Sequence, residues 1–177
     1  MPKISPKLKP FAEQWLKDLK KISDPKLGIG TVGADASLIG DQTSEVRHGD
    51  HHIISDEPKA VGGSDKGLSP LDYFMASIGF CENVTFARYA TLYGLDFDSL
   101  ETNVRGHWDR RGQADSSDAE PAFTDFIVET RLTSNDSIEK IKKVTMTAHT
   151  RCPMHSTITK AGKVVDKLFV NGAEIPL

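Results

Sequence analysis

A chain of 177 residues, 38% of them hydrophobic and 27% charged, is long enough to bury a core as one domain and too apolar to stay disordered. Its formal net charge of −3 argues against nucleic acid as the main partner, and no apolar run approaches the ~18 residues of a membrane span. The start, MPKISPKLKPF, lacks the apolar stretch of a signal peptide, so the expected compartment is the cytoplasm, where two cysteines are thiols or a cycling pair rather than a permanent staple.

Residues 1–26 carry seven Lys against Glu13, Asp18 and Asp24. Phe11, Trp15, Leu19 and Ile22 recur there at helical spacing, which predicts an N-terminal helix docked by its aromatic face. This basic amphipathic extension, 1–28, is set apart from a main domain over 29–177. Within that domain IGTVGADASLI (29–39) reads as a weak strand and HHIIS (51–55) as a second. The breaker-rich DEPKAVGGSDKGLSP (56–70) reads as a loop.

The strongest element follows. Ser69 suits a cap, Pro70 the first helical position and Gly94 the end. The residues between are apolar around most of the circumference, which predicts a buried central helix. SLETNVRGHWDR (99–110) and AFTDFIVETRLT (122–133) alternate like paired strands. SNDSIEKIKKVTMTAHT (134–150) is a helix with Ser134, Asn135 or Asp136 as its cap. PMHSTITKAG continues as helix to Gly162, and KVVDKLFVNG (163–172) is a strand. The order predicts an α+β fold with antiparallel sheet.

Cys81 and Cys152 are the only cysteines. Cys81 lies eleven residues past Pro70, beyond reach of the helix N-terminus, so a thiolate there needs a cation; Arg47 and Arg88 are the candidates. Cys152 precedes Pro153, which puts it at an N-cap, where backbone N–H groups favour a thiolate. From the residues alone, two inert buried thiols remain an alternative.

The motifs carry a resemblance. GGSDKGLSPLDYFMASIGFC (62–81) resembles the Gly-Gly loop, helix-opening Pro and first redox cysteine of the OsmC/Ohr superfamily of thiol peroxidases. AHTRCPMHSTI (148–158) resembles that family's second cysteine, and PAFTDFIVETRLT (121–133) its preceding strand. The resemblance implies an OsmC-like fold in an intertwined homodimer, with sheet wrapped around buried central helices. It implies reduction of organic hydroperoxides, with Cys81 attacking the peroxide, Cys152 resolving the sulfenic acid as a disulfide, and a dithiol or lipoyl-type reductant closing the cycle. It implies no cofactor and no metal. Arg47 is the best match to the arginine that holds the cysteine. The peroxidase branches place a Glu directly after the helix-opening Pro; here that position is Leu71, with Asp72 next, so the chain sits nearer a less characterised OsmC-like branch.

Three other readings compete. His48, Asp50, His51 and His52 offer metal ligands, but His51 and His52 face opposite sides of a strand. His155, three residues after Cys152, suggests a Cys-His acyl-transfer hydrolase. An apolar cavity around Cys81, walled by Phe74, Ile78, Phe80 and Val84, suggests a non-enzymatic module binding an apolar ligand.

Overall fold

The computed structural model describes residues 4–177. The chain divides into two compact units, one formed by the N-terminal residues up to Asp18 together with Ser77–Leu177, the other by Leu19–Ala76. The division falls within two helices, α1 (Leu8–Lys21) and α2 (Pro70–Tyr93).

The smaller unit holds a three-stranded antiparallel sheet of β1 (Ala36–Leu38), β2 (Ser44–His48) and β3 (His51–Ser55). Gly49 takes a positive φ of 58° in the tight turn between β2 and β3. The strand expected over 29–39 shrinks to three residues, because Gly30 and Gly33 leave the rest with little to pack. The 56–70 loop is organised around Asp56. Its carboxylate is fully buried and accepts the backbone N–H groups of Glu57 (2.9 Å), Ser64 (3.1 Å) and Lys66 (3.2 Å). Gly63 fits there because a Cβ would lie 1.7 Å from the Glu57 carbonyl oxygen. At the start of α2, Ser69 and Asp72 form a reciprocal cap. The Asp72 N–H donates to Ser69 Oγ (3.2 Å), and the Ser69 N–H donates to Asp72 Oδ2 (3.3 Å).

In the larger unit a four-stranded sheet runs β4 (Ser99–Trp108), β5 (Phe123–Thr133), β6 (Lys163–Val170), β7 (Ala173–Ile175). β4 and β5 pair antiparallel as expected, but β5 and β6 are parallel. The intervening α3 (Ile138–Arg151) and α4 (Pro153–Ala161) supply the crossover that parallel strands need. The cap of α3 is Ser137, whose Oγ accepts the Lys140 N–H; Ser134 instead donates its hydroxyl to the Asp96 carbonyl at 2.6 Å. β7 was not expected from the sequence. Asn171 and Gly172, both at positive φ, make the tight turn that leads into it.

The body of α2 lies in this core. Phe86, Tyr89 and Ala90 pack with Leu132, Ile141, Val144, Ala148 and Leu168. Gly79 brings the helix close to β4, where its Cβ would sit 3.4 Å from the Thr102 carbonyl oxygen. The opposite face of α2 remains open, with Phe80 67% and Val84 50% exposed. On α1 the docked face is Leu8, Ala12, Trp15 and Leu16 rather than the expected stripe, and Phe11 is 74% exposed. Trp15 sets its ring edge-on to Tyr89 at 6.5 Å, and the Arg88 guanidinium lies 5.0 Å over the indole.

Candidate active site

Four elements of the larger unit converge on the cysteines. Cys81 and Glu82 come from the middle of α2, His149 from the last turn of α3, Cys152 and His155 from the α3–α4 junction, and Asp166 from β6. The two cysteines are close enough to interact, and the Cys81 sulfur is among the groups that raise the Cys152 pKa. Cys81 is half-buried and Cys152 fully buried. Cys152 ends α3 and caps α4. Its N–H donates to the Ala148 carbonyl at 2.8 Å, and its Sγ accepts the His155 backbone N–H at 3.5 Å.

The amide contact favours a thiolate at Cys152, as the N-cap position predicts. Burial overrides it, and with the nearby Glu82 carboxylate and the Cys81 sulfur pushes the thiol up to about 12. Cys152 is therefore protonated at neutral pH, contrary to the expectation from its N-cap position alone.

Glu82 and His155 form a buried ion pair, with Nδ1 2.8 Å from Oε1. The contact is a close charge pair sealed from solvent. Nε2 of His155 faces Asp166 at 3.6 Å. Burial disfavours the imidazolium, but Glu82 and Asp166 outweigh it and hold the His155 pKa above the ordinary histidine value. The ring of His149 stacks on that of His155, centroids 4.7 Å apart and planes 9° from parallel. Its Nδ1 faces Asp166 at 3.6 Å. An open pocket of about 500 Å³, lined by residues of α3, α4 and β6, leads to His149, His155 and Asp166. Both ring nitrogens of His155 thus face carboxylates, and the thiol of Cys152 meets only the backbone of that residue. This arrangement does not make the Cys-His base of an acyl-transfer hydrolase.

Residues 63–166, more than half of the chain, match the family model of the OsmC-like proteins. The chain belongs to the OsmC-like family. The fold agrees. An OsmC-like protein from Mycoplasma pneumoniae superposes with a TM-score of 0.69 at 21% identity, covering 80% of this chain and 97% of that one. An OsmC-like protein of unknown function from Vibrio cholerae gives 0.65 at 14%, covering 80% and 100%. An organic hydroperoxide resistance protein from Legionella pneumophila gives 0.57 at 15%, covering 80% and 98%. No curated protein matches the chain.

Other residues singled out in this OsmC-like chain have partners within their own units. Arg47 belongs to the smaller unit, on β2, largely exposed and paired with Glu45 at 3.0 Å. Glu45 also meets His52 Nε2 at 2.8 Å, so that ring nitrogen is already engaged. Arg88 is committed to Trp15. Asp72 is committed to the α2 cap. Ile78 is fully buried in the core, so it is not a wall of an open cavity. Sequence reasoning missed Glu82, His149 and Asp166. Glu82 alone carried a signal, since a carboxylate inside an apolar run demands a partner. No helix among the described residues is long and apolar enough to cross a membrane.

Proposed function

We propose that the protein is a thiol-dependent peroxidase that reduces organic hydroperoxides. The observation that carries this reading is an unequal pair of interacting thiols: Cys81 is half-buried and open enough to meet a substrate, and Cys152 is fully buried. The Cys81 thiolate attacks the distal peroxide oxygen. The O–O bond breaks, the alcohol leaves with one proton, and Cys81 becomes a sulfenic acid. Cys152 attacks that sulfur, water leaves, and a Cys81–Cys152 disulfide forms. A dithiol or lipoyl-type reductant returns both thiols. Family membership supports the reading, as do two structural neighbours described as organic hydroperoxide resistance proteins, from Legionella pneumophila and Vibrio cholerae.

Arg47 is assigned the task of stabilising the Cys81 thiolate. The homodimer is part of the same reading, as is a reducing, cytoplasmic compartment that keeps the thiols free. Apolar side chains near Cys81 favour substrates with a hydrocarbon tail, at up to ~0.8 kcal/mol per buried CH₂.

The test is turnover of cumene hydroperoxide, t-butyl hydroperoxide and hydrogen peroxide with dithiol reductants. The organic substrates should be faster. One equivalent of peroxide should give a two-proton mass loss and one linked peptide pair. Cys81→Ser should abolish turnover, Cys152→Ser should stall after one oxidation, and Arg47→Ala should slow the first step. Full activity in Cys81→Ser would overturn the mechanism.

A further inference from the structure

The cluster beside the thiols contains more unmatched polarity than a peroxidase needs. Among the described residues, Glu82, His149 and His155 are all buried, and one ligand atom from each lies within 4.8 Å of the others. Glu82 Oε1, His149 Nε2 and His155 Nδ1 are each sealed from solvent without a hydrogen bond. Glu82 Oε1 and His155 Nδ1 have only each other, at 2.8 Å, and His149 Nε2 has no partner. Buried polar atoms are almost always satisfied, so a bare ring nitrogen beside a buried charge pair calls for a missing partner.

The opposite nitrogens complete the pattern. His149 Nδ1 and His155 Nε2 both face Asp166 Oδ2, each at 3.6 Å. Metal-binding imidazoles commonly turn their second ring nitrogen toward a carboxylate, which fixes the tautomer and aims the first. A simple proton relay would instead align each N–H on an acceptor. It would also leave no role for Nε2 of His149.

We propose that Glu82, His149 and His155 bind one divalent transition-metal ion, with Asp166 as the outer carboxylate that orients both imidazoles. Two histidines and one carboxylate suit zinc or another borderline first-row ion. The carboxylates of Glu82 and Asp166 balance the dication when both rings are neutral. The ligands come from three helices and the outer carboxylate from a strand, which holds the set rigidly. The adjoining pocket reaches the two imidazoles and Asp166, so a ring that turns opens an entry path for the ion. The rings now lie parallel, so their in-plane lone pairs do not converge. Capture therefore turns one ring about χ2 and opens the stack. This site does not depend on the peroxidase reading.

The experiment uses the full-length, reduced, metal-stripped protein titrated with Co²⁺ and followed by visible absorption, with Zn²⁺ as competitor. One saturable equivalent should appear, displaced by Zn²⁺, with d–d bands and no thiolate-to-metal charge transfer. The Cys81→Ser/Cys152→Ser double variant should keep that equivalent, as should a His48→Asn/His51→Asn/His52→Asn variant. Asp166→Asn should weaken binding by about 10–100-fold, and His149→Gln by at least as much. His155→Gln replaces His149→Gln if circular dichroism shows that the latter is unfolded. Failure of the wild type to saturate would overturn the site. Charge transfer that vanishes in the double cysteine variant would place the ion on sulfur and overturn it equally. So would unchanged affinity in folded His149→Gln. Peroxide turnover of the metal-stripped protein is read separately, and its absence bears only on the peroxidase proposal.

Discussion

Glu82 is the residue on which the local electrostatics of the site turn. It follows the half-buried cysteine in sequence, raises the pKa of the buried one, and pairs with His155. Cys152 moves from 9.0 to about 12, which leaves about a thousandfold smaller thiolate population at neutral pH. Pulse alkylation should therefore label Cys81 long before Cys152 in the folded, reduced protein, and both alike once unfolded. Equal labelling in the native state would show that the burial argument is wrong. Glu82→Gln removes the second-ranked cause of the upward shift but leaves burial, the first. Cys152 should then label faster than in wild type, by well short of the full thousandfold. The same variant tests the ion pair. His155 has a raised folded pKa, so its stabilisation is complete below the unfolded value of 6.5 and fades as pH rises through the folded value. Urea denaturation should show wild type gaining more over Glu82→Gln at pH ~6 than at pH ~9. A gap that widens with pH would reverse the assignment.

At the scale of elements, most of the chain was legible because its signals are local. Ser69, Pro70 and Gly94 bracket α2, and the alternation over 99–110 and 122–133 gave the antiparallel pair. Asn171-Gly172 is an equally local hairpin signal, and β7 follows it. The parallel pairing of β5 and β6 was not local. It depends on α3 and α4 together making one crossover, a property of connection rather than composition. The site divides the same way. Two cysteines and His155 announce their chemistry by type, whereas the roles of His149 and Asp166 exist only once a helix end meets a strand. Asp56 shows how far one side chain can organise a loop. Its carboxylate draws three backbone N–H groups into 56–66, and although burial opposes ionisation, those bonds hold its pKa below 3.8. The sign is that of a depressed acid: the stabilisation is present above 3.8 and is lost as pH falls through the lower, folded value. Hydrogen exchange of the Ser64 and Lys66 amides should accelerate in that acid window and, in Asp56→Ala, be fast already at neutral pH. Unchanged protection in Asp56→Ala would mean that the glycines alone hold the loop.

For the whole molecule, the open face of α2 is the feature that a single chain leaves unexplained. Phe80 is 67% exposed and Val84 50%, four residues apart on a helix whose other side is core. Helical spacing makes them one stripe, and a helix apolar all round belongs inside something. A second copy meeting α2 against α2 would cover it and supply the homodimer expected for this family. Such an interface is isologous, so each side chain counts twice. Burying a Phe side chain contributes about 1.5–3 kcal/mol, hence roughly 3–6 kcal/mol for the two copies of Phe80. Replacing it by Asp forfeits at least that, since it also sets two carboxylates near the axis. At 1.4 kcal/mol per tenfold, the dissociation constant should rise by about 10²–10⁴. Sedimentation velocity should show a dimer for wild type at micromolar concentration and a folded monomer for Phe80→Asp. Peroxide turnover should fall with the dimer if the active sites draw on both chains. A monomeric wild type, or a Phe80→Asp variant that stays dimeric, would sink the assignment of this stripe.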